Sequence, residues 1–383
     1  MSRNTLGART QEALSLADVR INGDRPWDIT VRDARFYARV LRQGSLGLGE
    51  SYIDGWWDCE ALDQFFCQIL SAGLDRKEML NWNRVMAHLK ARLFNRQTKS
   101  RVAAAVGGHY GLGNELYQAM LDRRMVYTSA YWEHASNLAE AQEAKLEFVC
   151  RQLDLKPGMK ILDIGCGWGS FAKYAAERHG VEVVGITVTK EQVELGQQLC
   201  RGLPVEIRLQ DYRDVRETYD HIVSLGMFEH VGYKNYPKFM KAVHRCLRKG
   251  GLFYLDTIGS NRSVRFTDAW LEKYIFPASM LPSVEQIGAA IEGFFVPEKW
   301  LNWTAHYDQT LLAWFRNFHA HWDRLKARYG ERFYRMWRYY LLSSAGSFRA
   351  RKTQVWQILL FPLRVRGGSF AAREDCGNKG ETG

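Results

Sequence analysis

The sequence predicts an α/β protein built on a doubly wound, mostly parallel sheet, and three observations carry that prediction. The run Ile161-Leu162-Asp163-Ile164-Gly165-Cys166-Gly167-Trp168-Gly169-Ser170 passes from a buried apolar strand into a glycine turn that opens a helix. Strand patterns recur at 181–186, 219–225 and 252–255, with helix-like stretches between them. Gly250-Gly251 marks a turn at the entry to the last of these. Strands alternating with helices call for crossover connections and a parallel sheet.

The leading 75 residues read as a small module of short apolar patches, with Gly47-Leu48-Gly49, the pair Trp56-Trp57 and a helix pattern over 62–70. From 76 to 106 a basic linker follows. Its apolar residues Trp82, Val85, Met86, Leu89, Leu93 and Phe94 recur at helical spacing, with Arg84, Lys90, Arg92 and Arg96 at other positions, which makes a basic amphipathic helix. Residues 107–366 form the expected catalytic domain. Within it, about 260–345 is an insertion crowded with Trp270, Tyr274, Phe276, Phe294, Phe295, Trp300, Trp303, Tyr307, Trp314, Phe315 and Phe318, a density expected of an apolar pocket under a helical cap. The polar, glycine-rich stretch 367–383 reads as a disordered tail.

The glycine turn is the expected ligand site. Glycine tolerates positive φ and lets main-chain N–H groups approach a ligand with no Cβ in the way, and the following helix aims its positive end there. Dinucleotide turns read G-x-G-x-x-G. This one reads D-x-G-x-G-x-G, and its Asp163 and tighter spacing favour S-adenosylmethionine over NAD. The loop Gln210-Asp211-Tyr212 is placed to receive an adenine amino group.

Charge narrows the partners. The formal net charge is +11, concentrated in 76–101, with eight Lys/Arg against one acidic residue, and in 307–366, with twelve against three. Such a field attracts nucleic acid or an anionic membrane surface alike. Seven cysteines form no C-x-x-C pair and no zinc-ligand spacing, and no cleavable apolar leader precedes them, so a reducing cytoplasm without metal is expected. No apolar run reaches the roughly 20 residues of a bilayer span, so membrane contact is expected to be peripheral.

Several blocks together resemble the bacterial cyclopropane-fatty-acyl-phospholipid synthase family and its mycolic acid relatives, which are class I methyltransferases with a Rossmann-like sheet. They are the stretch from Gly44 through Tyr52 with Asp54-Gly55-Trp56-Trp57, His109-Tyr110 with Leu112-Gly113-Asn114, Ala130-Tyr131-Trp132, the Asp163 turn, and Gly226-Met227-Phe228-Glu229-His230-Val231-Gly232. Further along come Thr257-Ile258-Gly259-Ser260, Tyr274-Ile275-Phe276-Pro277, Leu281-Pro282-Ser283 and Phe348-Arg349-Ala350-Arg351. The resemblance spans about 20–357, including the leading module that the shorter mycolic acid enzymes lack.

The resemblance implies methyl transfer from S-adenosylmethionine to a cis double bond of a phospholipid acyl chain, then closure of a cyclopropane ring. The alkene needs no deprotonation before attack, so placement of its π bond decides the rate. Aromatic faces stabilise the resulting carbocation and a dry pocket protects it. The family is thought to remove the last proton with a bound bicarbonate held by Glu, Tyr, His and backbone groups. By motif these map to Glu229, Tyr307 and the backbone at Ile258 and Ser129. Cofactor contacts map to Tyr127-Thr128 near the methionine end, Leu162, Asp163, Gly165, Cys166, Gly167, Trp168 and Gly169 along the turn, Thr187 and Gln192 near the ribose, and Asp211-Tyr212 near the adenine. An inner-membrane surface, anionic lipid and a homodimer are implied as partners.

The sequence departs from the family at three of its positions. Ser129 and Ser344 stand where cysteines are usual, and Asp256 stands where the family has His. A carboxylate beside Glu229 disfavours an anionic bicarbonate and raises one of the two pKa values. Three outcomes stay open: Asp256 is protonated and donates as His would, it replaces bicarbonate as the base, or ring closure fails and a methyl- or methylene-branched chain results. A nucleic-acid amino-methylase is disfavoured, because Gly226-Met227-Phe228-Glu229 occupies the place of its Asn/Asp-Pro-Pro-aromatic motif. A non-catalytic lipid-binding homologue is the remaining alternative, and only Asp256 speaks for it.

Overall fold

The computed structural model describes residues 3–75 and 112–363. The expected linker helix of 76–106 and the expected tail of 367–383 lie outside the described residues.

The leading part consists of α1 (Arg3–Ser15), β1 (Thr30–Val31), α2 (Arg35–Gln43), α3 (Ser45–Ile53), β2 (Trp57–Asp58) and α4 (Leu62–Ser71), with β1 and β2 paired antiparallel. Next come α5 (Asn114–Met120) and α6 (Leu138–Gln152). α6 begins at Asn137, whose side chain accepts the Glu140 N–H at 3.0 Å, a cap worth about 1 kcal/mol.

The sheet is laid down by β3 (Lys160–Ile164), α7 (Ser170–His179), β4 (Glu182–Thr187), α8 (Lys190–Leu199), β5 (Val205–Leu209), β6 (His221–Leu225), α9 (Tyr236–Cys246) and β7 (Phe253–Ser260). After α10 (Ala269–Tyr274) and α11 (Val284–Ile291) come β8 (Phe295–Asn302), α12 (Thr304–Ala320), α13 (Trp322–Arg349) and β9 (Thr353–Pro362). The strand order is β5-β4-β3-β6-β7-β9-β8. β3 to β7 are parallel, and β9 runs antiparallel to both of its neighbours. The chain winds outward from β3 through β4 to β5, then returns to place β6 on the other flank of β3. Ligands of open α/β sheets bind at such a reversal, beyond the carboxyl ends of the strands.

Two expectations need correction. The stretch 260–345 is not wholly a cap, because Phe295 and Trp300 belong to β8, the edge strand of the main sheet. β8 was not legible as a strand: six of its eight residues are exposed, so it lacks the apolar run of a central strand. Nor does the leading part have a core of its own. Phe36, Tyr52, Trp57 and Phe65 share one continuous apolar cluster with Trp270, Trp314, Trp337 and Tyr339. Ring centroids run from Trp57 to Phe65 (5.3 Å), Phe65 to Phe66 (5.1 Å), Phe66 to Tyr339 (5.2 Å) and Tyr339 to Trp270 (4.5 Å). Most cap rings are spent on this core, since each buried aromatic removes a large apolar area from water.

Arginines of α13 fasten the same contact. Arg335 donates to Tyr52 O at 2.7 Å, Trp57 O at 3.0 Å and Asp58 Oδ1 at 3.0 Å, while its guanidinium lies 4.1 Å from the Tyr52 ring centroid. Arg338 donates to Tyr52 Oη and to the carbonyls of Cys59 and Glu60.

Candidate active site

A cleft opens at the reversal between β3 and β6. It is lined by Tyr127, Thr128, Asp163, Gly165, Cys166, Gly167, Trp168, Thr187, Gln192, Asp211 and Tyr212. Two expected cofactor residues, Leu162 and Gly169, do not line it. Leu162 points into the core beneath β3 at 1% exposure, as the strand alternation requires. Gly169 is the left-handed residue that starts α7, packed near Cys200.

The turn works differently from the expectation. The N–H groups of Gly165 and Cys166 both donate to Ile186 O, at 2.9 and 3.1 Å, and Gly169 N–H donates to Cys166 O at 2.9 Å. Three main-chain donors are thereby used inside the fold, and the glycines chiefly clear space. Gly165 has φ +83°, and a Cβ there would sit 2.5 Å from Met227 Cγ. At Gly167, with φ +56°, a Cβ would meet no protein atom within 4 Å, so the turn leaves room on its open side.

The side chains around this cradle are preset. Trp168 Nε1 donates to Asn114 Oδ1 at 3.1 Å and its ring lies 5.0 Å from Tyr117. Thr187 Oγ1 donates to Gln192 Oε1 at 2.7 Å. Asp211 accepts from Arg213 Nε and Nη2 at 2.7 and 2.6 Å, and the Arg213 guanidinium lies over the Tyr212 ring at 5.2 Å. Arg213 also lines the cleft. Sequence reading missed it, although its spacing of two from Asp211 was visible. An acidic residue, a flat ring and a polar Thr–Gln pair around an open glycine turn suit a nucleoside with a charged aliphatic tail.

The cleft is also lined by Lys145, Met227 and His230. Tyr127 Oη is 2.9 Å from Tyr340 Oη, and Tyr127 packs on Trp314 at 5.0 Å. His230, pushed down to about 4 by its low-dielectric surroundings, lies edge-on to Phe276 at 6.1 Å. None of the eleven cap rings singled out in the sequence lines the cleft. Phe276 and Trp314 instead brace His230 and Tyr127 from behind.

None of the five expected catalytic residues, Glu229, Tyr307, Asp256, Ser129 and Ile258, lines the cleft. Glu229 Oε1 accepts the Ile258 N–H at 2.5 Å, and burial raises the Glu229 carboxyl to about 7, with a contribution from the charge of Asp256. Asp256 lies on β7, 2% exposed. Burial raises its pKa, while Lys145 and the Gln357 side chain lower it. Ser129 is 1% exposed, and its hydroxyl donates to Ala130 O at 3.2 Å. Tyr307 packs on Phe348 at 4.7 Å and edge-on to Trp314 at 5.7 Å.

Bicarbonate does not fit these residues. The Ile258 amide that was expected to hold it is taken by Glu229. Among the described residues Glu229 Oε2 and Asp256 Oδ2 are buried with no hydrogen-bond partner, and an anion there would meet acidic groups in place of the family's His.

The chain is similar to known proteins. The family described as mycolic acid cyclopropane synthetase matches residues 97–358. The chain is 50% identical over 362 residues, 94% of each chain, to a cyclopropane-fatty-acyl-phospholipid synthase of Escherichia coli. It is 31% identical over 341 residues to a tuberculostearic acid methyltransferase of Mycobacterium tuberculosis, covering 83% of this chain and 79% of that one. Among solved structures, a mycolic acid cyclopropane synthase complexed with SAH and CTAB aligns with TM-score 0.64 and 32% identity, over 67% of this chain and 97% of that one. A coclaurine N-methyltransferase bound to N-methylheliamine and SAH shares the fold at TM-score 0.68 and 20% identity, over 82% of this chain and 98% of that one. The chain belongs to the mycolic acid cyclopropane synthetase family.

Proposed function

We propose that this chain is an S-adenosylmethionine-dependent cyclopropane-fatty-acyl-phospholipid synthase, acting on cis double bonds of phospholipid acyl chains. The observation that carries the reading is the likeness to the E. coli synthase along 94% of both chains, which takes in the leading module as well as the cleft.

When bound, S-adenosylmethionine supplies an electrophilic methyl group. Asp211, Tyr212 and Arg213 would hold its adenine end, Thr187 and Gln192 the ribose, and Tyr127 and Thr128 the methionine end. Tyr127, backed by Trp314, offers aromatic faces to positive charge developing on the acyl chain. The apolar surroundings of His230 keep it neutral, so it adds no repelling charge beside that cation. Lining groups such as Met227 and Val231 exclude water.

Among the described residues no helix is long and apolar enough to cross a membrane. The chain works on the cytoplasmic face of the inner membrane as a peripheral protein, recruited by its basic segments to anionic lipid, and as a homodimer. The uneven charge supports recruitment, since about 1 kcal/mol per basic residue accrues near an anionic surface. Vesicle binding that weakens as salt rises checks it.

Gas chromatography with mass spectrometry of lipids from cells lacking such an enzyme and expressing this chain tests the activity. Cyclopropane chains that are absent with Glu229→Gln are expected. Methyl- or methylene-branched chains, or unchanged lipids, would refute it.

A further inference from the structure

Among the described residues lining the cleft, three can carry positive charge: Lys145, Arg213 and His230. Arg213 is committed to Asp211 by two hydrogen bonds, at the end suited to the adenine. His230 is kept neutral by burial. Lys145, on α6, differs from both. It is 1% exposed, a rare place for an ammonium group. Among the described residues its Nζ makes no ion pair and one hydrogen bond, donated to Thr128 Oγ1 at 2.7 Å. Burial pulls its pKa down, opposed by the more distant charges of Asp256, Asp122 and Asp163.

The place of this ammonium is fixed from two sides. Gln142 stands three residues before Lys145 on α6 and so shares its face, and its Nε2 donates to Thr128 O at 2.9 Å. Thr128 is thus held at its carbonyl and its hydroxyl by one helix. Across from it, Gly226 has φ +67°, and a Cβ there would stand 2.5 Å from Thr128 Cγ2, so the glycine makes the seat for the threonine. Thr128 and Gly226 both line the cleft. An ammonium has three N–H donors, of which Thr128 takes one, and a hydroxyl that accepts from it keeps its own proton to donate. This corner therefore offers a cation and an O–H together, which is a site for an anionic oxygen.

The cofactor carries one such group, the carboxylate of its amino-acid end, at the far end of the molecule from the adenine. We propose that Lys145, together with the Thr128 hydroxyl that it fixes, receives this carboxylate. The inference rests on the S-adenosylmethionine reading given above and deepens it. Charge-assisted hydrogen bonds to a carboxylate are stronger than neutral ones, and an anion beside the ammonium favours its charged form. The two lining cations then orient the cofactor, Arg213 through Asp211 at one end and Lys145 at the other. A ligand without the carboxylate leaves the buried ammonium unpaired and is rejected for that reason.

Calorimetric titration of the purified full-length chain with S-adenosylhomocysteine, and with its analogue lacking only the carboxylate, tests the proposal. Affinity at least about tenfold higher for S-adenosylhomocysteine is expected. Equal affinities overturn the proposal while upholding the cofactor reading, and binding of neither ligand overturns both. Lys145→Met keeps the apolar stem and removes the charge. It should weaken S-adenosylhomocysteine by at least about tenfold and leave the decarboxylated analogue within about twofold, erasing the preference. A merely structural role would weaken both ligands alike, and that result overturns the proposal. Thr128→Val keeps a methyl group for the Gly226 seat and removes the hydroxyl. It should shrink the preference too, and it decides the matter where Lys145→Met fails to fold; an undiminished preference overturns the proposal.

Discussion

Glu229 Oε1 takes the backbone N–H of Ile258 at 2.5 Å, tying the turn after β6 to β7. This one contact fixes the acid. Glu229→Gln keeps an oxygen for that N–H but gives up the negative charge. Turnover should fall by about 100-fold or more while S-adenosylmethionine affinity stays within about twofold. Single-turnover kinetics and calorimetry check the two halves.

The same burial makes stability depend on pH. Glu229 and Asp163 are both raised to about 7 by burial, so the folded chain holds protons there that the unfolded chain has already lost. Their contribution is complete below the ordinary carboxylate range and declines as pH rises through about 7. His230, lowered to about 4, acts in the opposite sense, but its effect is complete above its ordinary value of 6.5. The thermal midpoint of the ligand-free chain should therefore fall between about pH 6.5 and 8. Glu229→Gln should flatten that slope in a scanning calorimetry series.

Gly165 and Met227 occupy space that a single methyl group would contest. Gly165→Ala brings a left-handed penalty of about 1–2 kcal/mol and a Cβ within 2.5 Å of Met227 Cγ. Loss of stability by that amount or more and a weakened S-adenosylmethionine affinity are expected from denaturant unfolding and calorimetry.

Arg213 holds Asp211 and covers Tyr212 at the end of the cleft proposed for the adenine. Arg213→Met should raise the KM for S-adenosylmethionine by about tenfold, or ~1.4 kcal/mol, with kcat little changed. Steady-state kinetics at saturating lipid measure the split.

Arg335 satisfies two carbonyls and a carboxylate of the leading residues. Arg335→Ala removes these three donations, while Tyr52 O keeps the Gly55 N–H and Asp58 keeps Arg32, and should cost about 1–2 kcal/mol in denaturant unfolding.

What the sequence disclosed follows from locality. The glycine turn and the strands around it were readable because each rests on neighbours in the chain, whereas Glu229 was reached only through the family resemblance. Leu162 and Gly169 were assigned to the cofactor because they sit inside the same motif, yet strand alternation and the start of α7 turn them elsewhere. Lys145 was invisible, since its meaning comes from Thr128 and the cleft, away from it in sequence. The cap rings misled for a related reason: aromatic density signals burial, and only the fold decides whether the rings bury each other or a ligand.

The aromatic chain from Trp57 through Tyr339 to Trp270 makes the first 75 residues and α13 thermodynamically inseparable. Neither half can melt without wetting the other, so the described regions should unfold in one cooperative transition. Without the leading residues, the aromatic face of α13 would be open to water. Removing that segment would therefore be a two-sided change, and grafting it onto a shorter enzyme would require importing the α13 face along with it.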